Sequence, residues 1–250
     1  MRDKHDVLPI TAISMTGYFK SIADVFALLN EHHIRYIVLR NFEELENENI
    51  FIQGHPDIDL LCEDSAAVVR LLGVFSCRKV TPGKYGDGTH YYIFVQNRYV
   101  SLDLRHLGDD YYCAAWEKNL LETRVPHQSF YVPEPENLFY SLIYHAVFQK
   151  KVFSDEYRQR LNVMLRTLKV PEPSRHQCGA ADFVQLLEQY MTAHGYTYVY
   201  PKDSCVPLMK RWQNRHLLQI SWSAYIPHLV FHTRVAIIEL LVKIKHLFLR

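Results

Sequence analysis

Two aspartates one residue apart inside an apolar run, Asp57-Ile58-Asp59-Leu60-Leu61, constrain this chain more than any other stretch. The run reads as a β-strand, and strand side chains alternate between faces. Asp57 and Asp59 therefore share one face, while Ile58, Leu60 and Cys62 share the other. Two like charges side by side cost energy unless a cation or substrate lies between them. Oxygen ligands of this kind suit Mg²⁺, which is usually held by one or two carboxylates plus substrate phosphates.

A third carboxylate lies downstream. His90–Val95 and Tyr99–Leu104 are β-rich runs joined by Gln96-Asn97-Arg98, the pattern of a hairpin. Asp103 falls in the second run, where an unpaired charge is expensive. A sheet that sets Asp103 beside the Asp57 and Asp59 strand gathers three carboxylates on one surface, an arrangement suited to two-metal phosphoryl or nucleotidyl transfer. Ahead of them, Arg35–Leu39 reads as a strand that ends in a polar turn at Arg40-Asn41. The Arg40 guanidinium can grip phosphate through its planar fork. Arg105 follows Asp103 by two residues and shares its face if the strand continues, either neutralising the carboxylates or holding phosphate.

A strand and turn, an Asp-x-Asp strand, and a third acid on a later strand resemble the nucleotidyltransferase superfamily of the DNA polymerase beta-like fold. The resemblance covers residues 20 to 150. Within that superfamily the chain is similar to uncharacterised bacterial nucleotidyltransferase-like proteins with Tyr-Val-Val-Leu-Arg and Asp-Ile-Asp-Leu-Leu segments. It implies an α+β fold: a mixed sheet with flanking helices, then a helical C-terminal half. It also implies Asp57, Asp59 and Asp103 as metal ligands and catalytic groups, with Asp103 completing the site or activating the acceptor hydroxyl. Two Mg²⁺ ions, with Mn²⁺ as a substitute, and a nucleoside triphosphate or nucleotide-activated donor go with that reading. The superfamily places Gly-Gly or Gly-Ser after the first strand, where small residues let the backbone approach the triphosphate. This chain has Leu39-Arg40-Asn41 there. Three readings stay open: Arg40 and Asn41 bind the phosphate instead, the donor is not an ordinary triphosphate, or the site is inactive.

Composition narrows the partners. The 250 residues carry a net charge of +1, with 48% hydrophobic and 22% charged residues, which describes a globular chain with no global attraction to nucleic acid. A small-molecule acceptor is therefore expected, or a glycan-type one if the C-terminal helix touches a membrane. The alternatives are an inactive nucleotidyltransferase-fold binding protein in surface-polysaccharide assembly, or a toxin-type transferase modifying transfer RNA or protein. Five scattered cysteines without CxxC spacing give no zinc site or disulfide framework. Met1–Asp6 is polar, without a signal-peptide pattern, so a cytoplasmic location is expected.

Along the chain, the spacing of Phe19, Ile22, Ala23, Phe26 and Leu29 predicts a helix over residues 17–33. The acidic stretch 42–56 reads as a solvated loop, with a lid over the site as the alternative. Residues 64–74 read as a helix capped by Asp64 or Ser65. Residues 80–88 are a Gly-rich loop in which Lys84 is a candidate phosphate contact, although the spacing is not that of a Walker loop. Asp109 and Asp110 are candidate caps for a helix over 111–121. Pro133-Glu134-Pro135-Glu136 closes a nucleotidyltransferase-like core, residues 1–132, ahead of a helical region, 133–250. That region is expected to hold helices over 137–151, 155–168 and 180–194. His145 lies in the first, as a buried core histidine or a base. Tyr225–Arg250 is dense in apolar residues broken by Arg234, Lys243, Lys245, His246 and Arg250. It reads as an interfacial helix at the inner face of a membrane, a homo-oligomer contact, or a helix packed on the core.

Overall fold

The apolar runs fold as a six-stranded mixed sheet with helices on both faces, the mixed α/β arrangement compatible with an α+β fold. The computed structural model describes residues 17–45, 51, 56–76, 90–150, 152–168, 178–199 and 206, and scattered positions between 226 and 245. Its strands are β1 (Tyr18–Phe19), β2 (Tyr36–Val38), β3 (Asp57–Cys62), β4 (Phe75–Ser76), β5 (His90–Val95) and β6 (Arg98–His106). The spatial order is β1-β5-β6-β3-β2, with β4 also on β5. β3 and β6 run parallel, whereas β2 with β3 and β5 with β6 are antiparallel.

The expected hairpin forms, with a shorter turn. Gln96 and Asn97 alone make it, both at positive φ (52° and 59°), as a two-residue turn with matched strand twist requires. A second, two-stranded ribbon pairs β7 (Val125–His127) with β8 (Phe130–Val132), which no pattern in the sequence announces.

The two faces of the sheet have separate cores. Ile58, Leu60, Cys62, Leu102 and Leu104 pack against α1 (Ile22–Glu31) and α2 (Ser65–Leu72). Ile37, Leu39 and Leu61 face the other way. They join the core built with α3 (Ala114–Glu122), α4 (Pro135–Tyr144), α5 (Asp155–Leu168) and α6 (Ala180–His194). The helical half therefore covers the acid-bearing face of the sheet.

Local chemistry explains the helix ends. The helix expected over 17–33 starts only at Ile22, because Tyr18 and Phe19 pair with Phe94 and Val95 as an edge strand. Ser21 caps it, accepting from the Asp24 amide at 3.1 Å. Asp64 caps α2, accepting from the Ala66 and Ala67 amides at 2.8 and 3.2 Å. Asp64→Ala should cost about 1 kcal/mol in a urea melt. Asp109 does not cap a helix at 111: its carboxylate accepts from the His106 and Tyr111 amides, and α3 starts after Cys113. The helix expected over 137–151 is α-helical only to Tyr144. Residues His145–Gln149 then form a π turn, and Lys150 leaves in an extended conformation. Among the described residues no helix is long and apolar enough to cross a membrane.

Candidate functional site

Strand register decides what the acidic residues can do together. On parallel β3 and β6, Asp59 pairs with Asp103 and Asp57 with Ser101. Asp57, Asp59 and Asp103 thus lie on one sheet face, with Asp59 and Asp103 on adjacent strands. Like charges in that relation repel, and burial strengthens the repulsion. Burial, then the Asp59 and Asp103 charges, push the Asp57 carboxyl up to about 6. No hydrogen bond or ion pair holds Asp57 among the described residues.

Cationic side chains offset the other two acids. Arg40 Nη2 donates to Asp59 Oδ1 at 2.5 Å, with both side chains buried. Burial works against the Arg40 charge, but Asp59 and the Tyr111 hydroxyl outweigh it and hold the guanidinium protonated. Its Nη1 is buried without a hydrogen-bond partner among the described residues. Arg40 reaches Asp59 because the chain leaves the strand after Val38 and turns at Asn41, which is left-handed (φ 56°). A continued strand would have set Arg40 opposite Ile58, with its side chain on the far face.

Asp103 has a different partner. His90 lies directly across β5 and β6, and its Nδ1 meets Asp103 Oδ1 at 2.7 Å. Burial raises the Asp103 carboxyl, but this contact, together with Arg105 and Arg40, outweighs it and lowers it overall. Arg105 is buried on the same face and lies 4.4 Å over the Tyr111 ring, a cation–π contact.

Lys150, which the sequence assigns only to a helix end, belongs to this site. Burial and Arg40 lower its pKa, while Asp59, Asp57 and Asp103 act in the other direction. It makes no hydrogen bond or ion pair among the described residues. The π turn puts it there: one extra residue per turn rotates the residues beyond it, and such turns often mark functional sites. His145 braces that turn. Its Nδ1 lies 3.0 Å from both the Gln149 Oε1 and the Tyr111 hydroxyl, while Gln149 Nε2 donates to the Tyr111 carbonyl. Since Gln149 presents its oxygen, His145 carries its proton on Nδ1. Burial and the neighbouring Arg40 and Lys150 hold the ring neutral, its pKa well below the usual histidine range. His145 is thus a buried, hydrogen-bonded histidine, the structural of its two expected readings.

The remaining expected contacts divide. The Asn41 side chain accepts from Arg160 of α5 at 2.9 Å, and Arg160 also pairs with Glu43 at 3.0 Å. This clamp fixes the turn that carries Arg40 and takes up the Asn41 oxygen. Lys84 lies outside the described residues. An apolar cavity of about 320 Å³ lies beyond the same turn, lined by Phe42, His127, Leu138, Met164 and Leu168 among others. It contains none of the carboxylates and has no cationic lining for a phosphate.

Among the described residues, no three His, Cys, Asp or Glu side chains are grouped so as to hold a metal on their own. Mg²⁺, however, commonly relies on one or two carboxylates and completes its shell with phosphates and water. Asp57, without a side-chain partner among the described residues and crowded by negative charge, and Asp103, engaged by His90 through Oδ1, fit one such ion arriving with phosphate. Asp59 meets Arg40 through Oδ1, so in a two-metal arrangement it would offer its other oxygen, or both oxygens if Arg40 withdraws. No family model, no curated protein and no solved structure matches this chain.

Proposed function

We propose that this protein is a Mg²⁺-dependent nucleotidyltransferase or related phosphoryl-group transferase acting on a small-molecule or glycan-type acceptor. The observation that carries the reading is the register of β3 on β6, which aligns Asp59 with Asp103 and keeps Asp57 on their face. Asp57 and Asp103 are the residues that would hold the ion. When bound, the ion neutralises the donor phosphates and polarises the phosphorus under attack. Arg40, through an Nη1 that has no hydrogen-bond partner among the described residues, and Lys150 supply positive charge for the phosphates and the leaving group. Arg105 and His90 hold the acidic side of the cluster in place. In the transfer, the acceptor oxygen bonds to phosphorus, the bond to the leaving phosphate breaks, and the hydroxyl proton passes to a carboxylate of the cluster.

A second reading has its own support. Arg40, Arg105 and Lys150 match the three aspartates in formal charge. That balance suits a non-catalytic domain that binds a nucleotide or another anion. Incubating wild type and Asp57→Asn with each of the four nucleoside triphosphates and Mg²⁺ separates the two. Metal-dependent pyrophosphate release by wild type and not by the variant supports transfer. Nucleotide binding without turnover in both proteins supports the binding domain.

A further inference from the structure

Seven of the eleven large apolar side chains left exposed among the described residues fall between Ile226 and Ile244. Scattered exposed apolar residues are ordinary; a cluster marks a contact surface. Every described position in this stretch is helical. The Thr233 hydroxyl donates to the Leu229 carbonyl at 2.8 Å, the back-bond expected one helical turn away. At about 100° per residue, Ile226, Leu229, Val230, Ile237, Leu240, Leu241 and Ile244 fall within one arc of about 120°. Their exposure runs from 39% at Ile244 to 58% at Leu241. Arg234 and Lys245, both exposed, border that arc on one side.

Charge selects the occupant. Residues 226–250 hold four basic residues, Arg234, Lys243, Lys245 and Arg250, against Glu239 alone. Their net +3 exceeds the chain's +1, so the preceding residues carry −2. A second copy on the same face would set basic borders against each other with too few acids to pair them. Spanning a bilayer is disfavoured because Arg234, Glu239, Lys243 and Lys245 interrupt the apolar sequence. An apolar face with basic borders suits a helix lying in the headgroup layer, its long basic side chains reaching outward to lipid phosphates.

We infer that the face running from Ile226 to Ile244 docks on an anionic phospholipid bilayer, parallel to its surface. The inference does not depend on the chemistry of the carboxylate site. The test is co-sedimentation of the full chain with phosphatidylcholine vesicles, with and without about one third phosphatidylglycerol. Binding should be at least about tenfold stronger to the anionic vesicles and should weaken as salt rises. Arg234→Gln with Lys245→Gln should reduce that binding about tenfold or more, at roughly 1 kcal/mol per charge near the surface. Ile237→Glu with Leu241→Glu should bring it to background. Circular dichroism melts should match wild type, because these side chains are exposed. Absence of vesicle binding, equal binding to neutral vesicles, or variants that bind like wild type would overturn the inference. So would a dimer, seen by light scattering, that the Ile237→Glu and Leu241→Glu protein no longer forms.

Discussion

Arg40→Met is expected to remove about 3–5 kcal/mol of folding stability at neutral pH, the usual consequence of leaving one member of a buried ion pair alone. Arg40 and Asp59 are both nearly inaccessible, and the guanidinium is the direct partner of the Asp59 carboxylate. Methionine fills similar volume but brings no charge. The loss should depend on pH in a defined direction. Burial already raises Asp59 above its ordinary value, and Arg40 opposes that rise. Without Arg40 the folded-state pKa climbs further above the unfolded one. A group shifted this way destabilises the fold most above its folded pKa, and the penalty fades as pH falls toward the unfolded value. Urea melts of the variant should therefore approach wild type on acidification. Arg40→Met combined with Asp59→Leu should recover most of the loss, because an apolar pair needs no compensation. A variant that loses less than about 1 kcal/mol at neutral pH would mean that Asp59 reaches solvent or that Arg105 and Lys150 suffice.

Much of this arrangement is legible in the sequence, and the gaps have physical causes. Period two alone places Asp57 and Asp59 on one face, and the β3–β6 register then puts Asp103 beside them. The helices Asp155–Leu168 and Ala180–His194 follow from periodicity, with Gly195 ending the latter at φ 66°. His90 is hidden by a turn read one residue too long. With three residues in the turn, Asp103 faces Tyr91; with two, it faces His90, and a slip of one changes every pairing. Lys150 is hidden by the assumption of 3.6 residues per turn, which the π segment breaks. The Arg40–Asp59 contact depends on the chain leaving the strand before Arg40, a backbone event that side-chain alternation does not encode. Arg160 reads from the sequence as part of a basic helix side, a phosphate or partner face or a solvated one; its clamp on Asn41 and Glu43 is not legible because those partners lie more than a hundred residues away.

Asp57→Asn is expected to make the metal-free protein more stable while removing its response to divalent ions. In the wild type, burial and two neighbouring carboxylates raise the Asp57 carboxyl to about 6, against an ordinary value of 3.8. A carboxyl raised on folding favours the folded state in its protonated form. Its contribution is intact below the unfolded value and is lost as pH climbs through about 6. Asparagine keeps the shape without the charge. Asp57 is partly exposed, so solvent screening cuts the full conversion of that shift; above that range the variant should therefore exceed wild type by about 1–2 kcal/mol, and the two should converge as pH drops toward 4. Added Mg²⁺ or Mn²⁺ should raise the melting temperature of wild type above pH 6, where Asp57 is ionised, and leave the variant unmoved. Pyrophosphate release should fall by about a hundredfold or more in the same variant. Equal metal stabilisation in both proteins would remove Asp57 from the ion's ligands. Gain of stability together with loss of metal response would identify Asp57 as a charge whose folding cost is offset when the ion binds.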